Sequence, residues 1–330
     1  MPGRRVTSKD VAQHAGVSQS TVSYVLNDTP NQSISPATRD RVRAAAATLG
    51  YTPSAAARAL RRGSSEAVLV VLPDAPIGAA IAAMIEGVSA VLEPHGHPVV
   101  HRRQRDTVGL RALWHELAPA AIANLAAFPA SEEAAIEAAG IPVVGVALGG
   151  EPGRAMRVPQ TAIGRLQAEH LVQRGHTHLG FAASTDPHLA EIARGRLAGV
   201  EEVCAERGLP APVVVDVPLY ADAAARAVQR LRDRAGPVTA VCACNDDVAL
   251  AVLAGLRTAG LAAPGDLAVV GVDNLTAGRL AAPPLTTVDI RPDDIGTTLG
   301  KHVLRRLKPE LELPVPDDEP PIDLVVRATT

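Results

Sequence analysis

Little in this 330-residue chain is spaced to make or break a covalent bond. Three cysteines occur, and Cys242 and Cys244 fall on one face of a candidate strand with no second Cys or His pair nearby in sequence to complete a zinc site. An odd, sparse set is no disulfide framework, so Cys204, Cys242 and Cys244 are expected in apolar packing. His176 and His178 flank a strand start without a nucleophile or metal partner in sequence, which suits capping or packing. No Gly-x-Gly-x-x-Gly follows a strand, and neither a Walker loop nor a Gly-x-Ser-x-Gly elbow occurs. An α/β enzyme is therefore the weakest reading, and no cofactor or metal is expected. Residues 6–27 offer different chemistry. They combine small residues where two helices could approach, a glycine where they could turn, and a run of hydroxyls and amides on the second segment. A polar helix face of that kind can reach the donors and acceptors on the edges of DNA base pairs.

The elements that would position this face announce their own ends. Thr7-Ser8-Lys9-Asp10 fits a capping box for a helix over 8–15, with Asp10 favoured by the helix dipole. Gly16 supplies a tight turn, and Ser18 caps a second helix that runs to Leu26. Val11, Ala12, Ala15, Val17, Val22, Val25 and Leu26 are available for a shared core. Asn27, Asp28 and Pro30 mark a loop, and Ser35-Pro36 opens an Ala-rich third helix that closes at Gly50. Pro53 and Ser54 then introduce a linker containing a short helix over 55–60.

From Ala67 onward, short Val-rich runs alternate with helical stretches, the pattern of parallel sheets with crossover helices. Strands are expected over 67–72, 98–102, 120–125 and 142–147, then 179–183, 213–217, 238–244, 267–272 and 286–290. Helices over 78–92, 161–174, 189–207, 221–234 and 246–259 lie between them. Two consecutive sets imply two Rossmann-like lobes with a ligand crevice between them. The helix over 78–92, with Ile81, Met84, Ile85, Val88, Val91 and Leu92, is a candidate dimer surface, and core packing explains the same residues equally well.

Net charge is only -3, but its distribution is lopsided. Residues 1–62 hold nine Arg or Lys against three Asp, a net of +6; the other 268 residues hold 23 basic against 32 acidic, a net of -9. A basic head on an acidic body suits a polyanion at one end only. No apolar segment follows the basic N-terminus, and no apolar run approaches the roughly 18 residues needed to span a bilayer. A cytoplasmic protein without a membrane partner is expected.

The run over 6–27 closely resembles the head of LacI-family regulators. The resemblance continues in Ser35-Pro36-Ala37-Thr38-Arg39, in Leu49-Gly50-Tyr51-Thr52-Pro53-Ser54 and in Ala57-Arg58-Ala59-Leu60-Arg61. More weakly it extends through the body, for instance at Arg196-Leu197-Ala198-Gly199, Asn245-Asp246 and Gly271-Val272-Asp273-Asn274. It implies an α plus α/β fold: a helix-turn-helix DNA-binding domain (1–53), a hinge helix and linker (54–65), and a core of two Rossmann-like lobes of periplasmic-binding-protein type (66–330). The implied function is sequence-specific transcriptional regulation, by default repression, through a homodimer on a palindromic double-stranded operator, with a small-molecule effector such as a sugar or related metabolite in the cleft.

Carried over by position, the family pattern makes Gln19, Ser20 and Tyr24 the base-reading residues. Gln matches an adenine edge, Ser serves either base type, and Tyr offers a hydroxyl and ring contact to a thymine methyl. Tyr24 could alternatively pack on the third helix. Ser18, Thr21, Ser23 and Asn27 would position the helix on phosphates or cap it, and Thr7 would contact phosphate through a helix N-terminus. Leu60 stands where the family wedges a leucine into the minor groove, with Arg58 and Arg61 as phosphate or minor-groove contacts. The effector residues would be Arg196, Asp273, Asn245 and Asp246. Asp246 and Asp273 could instead cap helices, and Arg196 could pair with Glu201 or Glu202.

The chain also departs from the pattern. Ala75-Pro76-Ile77-Gly78 replaces an Asn-Pro motif with aromatics, Pro159-Gln160 replaces Asp-Asn, and one Trp and two Phe leave little for an aromatic platform. A rival reading keeps the same head on a body blind to effectors.

Overall fold

The computed structural model describes residues 6–27, 32–52, 64–74, 77–105, 107–126, 128–148, 156–233, 236–314 and 320–330. The expected hinge helix over 55–60, with Arg58, Leu60 and Arg61, lies outside the described residues. The chain divides into two compact units, Met1–Ser65 and Glu66–Thr330.

Unit 1 holds three helices, α1 (Ser8–Ala15), α2 (Gln19–Leu26) and α3 (Pro36–Thr48), each touching the other two. Helices of eight residues are not stable alone, so they depend on a shared core. Val11, Val22, Val25 and Val42, at most 1% exposed, form it with Ala12, Ala15, Ala45 and Ala46. Gly16 takes φ +66°, which a side chain would resist, and this ends α1 so that Val17 N–H reaches the Ala12 carbonyl at 3.0 Å. Ser18 Oγ accepts from Thr21 N–H at 3.1 Å and Ser35 Oγ from Thr38 N–H at 3.3 Å, each supplying an acceptor for a first-turn amide.

Unit 2 contains two sheets. The first is built from β1 (Val68–Leu72), β2 (Val99–Arg103), β3 (Ala121–Asn124), β4 (Val143–Ala147) and β5 (Met156–Arg157) in the order β2-β1-β3-β4-β5, all parallel. The second uses β6 (Leu179–Ser184), β7 (Val213–Val217), β8 (Ala240–Ala243), β9 (Ala268–Val272), β10 (Thr286–Asp289) and β11 (Asp323–Val325) in the order β11-β10-β9-β8-β6-β7, with only β11 antiparallel. Central strands β1, β4, β8 and β9 are buried at every position, which is why they read as unbroken apolar runs, whereas edge strand β2 is mostly exposed.

Helices α4 (Ala79–Leu92), α5 (Thr107–Leu117) and α6 (Ala130–Ala138) belong to the first lobe. The second contains α7 (Gln160–Gln173), α8 (Ala190–Glu206), α9 (Ala221–Arg232), α10 (Asp246–Thr258) and the short α11 (Thr276–Arg279). The lobes are not strictly consecutive, as the sequence suggested. Helix α12 (Pro292–Leu307) follows β10 of the second sheet yet packs on α4, β3 and β4 of the first lobe, before the chain returns to β11. Its Ile295, Leu299, Val303 and Leu304 are fully buried with Met84, Val88 and Leu92. The apolar face of α4 is therefore covered by α12 and the first-lobe core, and Ile81, Ile85 and Val91 pack against that same core.

Candidate nucleic-acid interface and ligand cleft

In unit 1, burial of Val22 and Val25 fixes the rotation of α2, because each residue advances the helix by about 100°. Gln19 and Ser20 are left in solvent, and Tyr24 is 37% exposed. Gln19 Nε2 donates to Ser8 Oγ at 2.7 Å, so the N-termini of α1 and α2 are tied together and the Gln19 amide is held in one orientation. Ser8 is a partner that sequence reasoning did not single out. Ser18 and Asn27 act at opposite ends of α2: Ser18 caps the start, while Asn27 Nδ2 donates to the Ser23 carbonyl at 2.7 Å and lies 3.2 Å from Ser23 Oγ. Thr21 Oγ1 lies 2.9 Å from Ser18 Oγ. Asp10 Oδ2 accepts from both the N–H and the hydroxyl of Thr7, at 2.8 and 2.7 Å, which closes the expected capping motif.

In unit 2, a cavity of about 270 Å³ lies where the C-terminal ends of strands from both sheets converge. Leu72 ends β1 and Ser184 ends β6, while Leu148, Val158, Cys244, Asp273 and Ile290 lie immediately beyond β4, β5, β8, β9 and β10. Open parallel sheets bind ligands at this edge because the strands diverge there and the loops leave a crevice.

Arg196 reaches the cavity from α8 while being only 4% exposed. Its Nε donates to Gln160 Oε1 at 2.8 Å and its Nη1 donates to the Cys244 carbonyl. Gln160 is fixed in turn, with Nε2 donating to the Leu148 carbonyl at 2.6 Å. The glutamine that departs from the family pattern thus orients the arginine. Helices α7 and α8 can approach this closely because Gly164 has no side chain; a Cβ there would collide with the Arg196 carbonyl. Glu202 does not pair with Arg196; it pairs with Arg165 at 3.1 Å.

Asp273 lines the cavity at φ +110°, a backbone region that is strained for a non-glycine residue and recurs at functional sites. Desolvation pushes its carboxyl up to about 7, opposed by Arg196 and reinforced by Asp246, Asp247 and Asp289. Asn245 also lines the cavity, and its Oδ1 caps α10 by accepting from Val248 N–H at 2.9 Å. Asp246, expected beside it as an effector ligand, is not among the lining residues. It is fully buried, with Oδ1 accepting from Thr287 Oγ1 at 2.6 Å and Oδ2 from Leu275 N–H at 2.7 Å. Successive side chains of a helix point about 100° apart, so the next residue, exposed Asp247, faces the cavity instead. Desolvation raises Asp246 to about 6 despite its two donors.

None of the six Phe, Tyr and Trp residues lines the cavity. Trp114 and Phe128 are in the first-lobe core, Phe181 is in the second, Tyr24 and Tyr51 are in unit 1, and Tyr220 is 77% exposed elsewhere on unit 2. The thiols of Cys204, Cys242 and Cys244 are free and buried, as expected, and burial raises all three. Among the described residues there is no cluster of three His, Cys, Asp or Glu able to hold a metal, and no helix long and apolar enough to cross a membrane.

Comparison with known proteins agrees with both units. Residues 7–54 match the family described as bacterial regulatory proteins, lacI family, and residues 168–330 match the periplasmic binding protein-like domain. The chain is 30% identical to the transcriptional regulator GalR of Escherichia coli strain K12, over 86% of this chain and 83% of that one. It is also 30% identical to the regulator CelR of Thermobifida fusca, over 94% and 95% of the two chains. A crystal structure of the Lac repressor bound to ONPG in its repressed state superposes with a TM-score of 0.81 at 26% identity, covering 99% of this chain and 100% of that one. With a lacI-type head, a periplasmic-binding-protein-like body and relatives aligned along nearly its whole length, the chain belongs to the lacI family of DNA-binding transcriptional regulators and is not an enzyme.

Proposed function

We propose that this regulator represses transcription as a homodimer on a palindromic operator, and that a small molecule in the cleft of unit 2 alters its affinity for DNA. The observation that carries the reading is the solvent-facing polar side of α2, with Gln19, Ser20 and Tyr24 displayed on a basic head that together with the hinge, over residues 1–62, has a net charge of +6. In this reading those three read base edges, while Thr7, Ser18, Thr21, Ser23 and Asn27 hold the helix in register and Arg58 and Arg61 contact phosphates. Leu60 wedges into a minor-groove step, in a hinge helix too short to be stable by itself. The chain is then organised as a head over 1–53, a hinge over 54–65 and a core over 66–330. One head contacts few bases, so useful specificity requires two heads on half-sites about one helical turn apart. Chromosomal DNA places the action in the cytoplasm.

On the effector side, Arg196 and Asp273 bind the ligand, joined by Asn245 and Asp247. Asp246 supports the site from behind. The cavity with its anchored arginine favours this over an effector-blind body. Selection of bound fragments from random duplexes at near-physiological salt tests the proposal. It should return a palindrome preferred over scrambled duplex by roughly a thousandfold or more; equal binding to both overturns the reading.

A further inference from the structure

The two walls of the cleft differ in chemistry. Arg196, Asn245, Asp247 and Asp273 all come from the second lobe. Among the described residues, the facing first-lobe wall includes Leu72, Ile77, Ala80, Ile81, Met84 and Leu148, a set with no hydroxyl, amide or charged side chain. A free sugar carries hydroxyls around its whole ring. Each hydroxyl turned onto the aliphatic wall would lose water without replacement, a loss on the order of tenfold or more in affinity. A purine would find no Phe, Tyr or Trp to stack on; the aromatic ring that borders the cavity is the smaller imidazole of His188, on the second-lobe side.

Resting on the effector reading above, we infer that the ligand is a small amphiphile: a vicinally hydroxylated head on Arg196 and Asp273, with an aliphatic body laid against the first-lobe wall. The head is matched by an arginine that has two of its nitrogens already anchored, beside an Asp273 carboxyl that makes no side-chain hydrogen bond to the described residues. Such a neighbouring donor and acceptor suit two adjacent hydroxyls. Size agrees with a small ligand. A cavity of about 150 Å³ accepts benzene, so one of about 270 Å³ takes roughly a dozen non-hydrogen atoms. A 1,2-alkanediol of eight carbons and glucose are both near that size, so the pair separates chemistry from volume.

The test titrates full-length, DNA-free protein by calorimetry with 1,2-diols of five to eight carbons, with glucose and galactose, and with adenosine. Affinity should rise about threefold to fourfold for each added methylene, and 1,2-octanediol should bind more tightly than either sugar or the nucleoside. 1-Octanol, lacking one hydroxyl, should bind more weakly than the diol. Ile77→Asn changes a residue 43% exposed, so the fold should tolerate it, and it should weaken the diol about tenfold without weakening glucose. A sugar binding more tightly than every diol, a flat chain-length series, or an Ile77→Asn protein with unchanged diol affinity overturns the inference. Operator binding is separate: its absence both without ligand and with each of these compounds would overturn the regulator reading, whereas a sugar-responsive repressor would overturn only the amphiphile.

Discussion

The head and the cleft solve opposite problems. The side chains proposed to touch bases come from one eight-residue helix, oriented by a core of eight small aliphatic residues, and they remain in water. The cleft draws its walls from positions as far apart as Leu72 and Ile290, and takes Arg196 almost wholly out of solvent. A surface reader needs only the correct face outward, so local pattern suffices. A buried charged site needs partners for each charge, and those partners come from wherever the chain folds back. The head is accordingly vulnerable through its few core residues, and the body through its desolvated carboxylates.

Breaking the head at its core should give the largest effect. Val42→Asp puts an unpaired charge where no solvent reaches and should destabilise unit 1 by on the order of 4 kcal/mol. Operator binding should vanish while calorimetry still shows the melting of unit 2; an intact head signal by NMR would contradict this dependence. The corresponding change in the body works in the other direction. Asp273 has a folded-state carboxyl raised to about 7, so between roughly pH 4 and 7 the folded chain binds more protons than the unfolded one and stability falls as pH rises. Asp273→Asn removes that penalty. It should make unit 2 more stable than the parent above pH 7, by about 2 to 4 kcal/mol, with the gap closing below about pH 4. Melting curves across that range decide it, and a parent more stable than the variant at pH 8 would refute the desolvation argument.

Within the head, exchanging Gln19 and Ser20 for other polar residues should change the preferred operator, at about 1 to 3 kcal/mol for each lost base contact. Competition between the parent and reselected duplexes measures it, and an unchanged preference sinks the base-reading assignment. The smallest effect is expected from Ser8→Ala, which frees the Gln19 amide from an exposed hydrogen bond. Discrimination at the base facing Gln19 should fall by about 0.5 to 1 kcal/mol with little change in melting temperature. No change in discrimination would mean that the Ser8 contact does not orient the reader.

Much of both units could be read before any coordinates, and for a common reason. Ser18, Ser35-Pro36 and Gly16 act on their own neighbours, so helix ends in the head fall where the caps predict. The buried strands betray themselves by Val-rich runs without a polar side chain, as at 68–72 and 268–272. Arg196 and Asp273 were visible through the family pattern, and they do meet at one cavity. What could not be read were the contacts between distant segments. Gln160 looked like a departure from pattern until it met Arg196, Ser8 was merely a helix residue until it met Gln19, and the crossing of α12 into the first lobe has no local signature. Asp246 and Asp247 are adjacent acids at the start of one helix, indistinguishable by type.

By itself, then, the sequence determined the head's elements, the outward polar face of α2, the alternating α/β body and the asymmetry of charge, because each follows from residues acting over a turn or two. Only the tertiary structure decided which aspartate is walled in by Thr287 and Leu275, what anchors Arg196, and that the described residues of one cleft wall are apolar in their side chains. Those outcomes depend on which strands end side by side. Backbone pairing and the packing of α7, α8 and α12 settle that between residues tens of positions apart, 36 for Gln160 and Arg196 and 41 for Asp246 and Thr287.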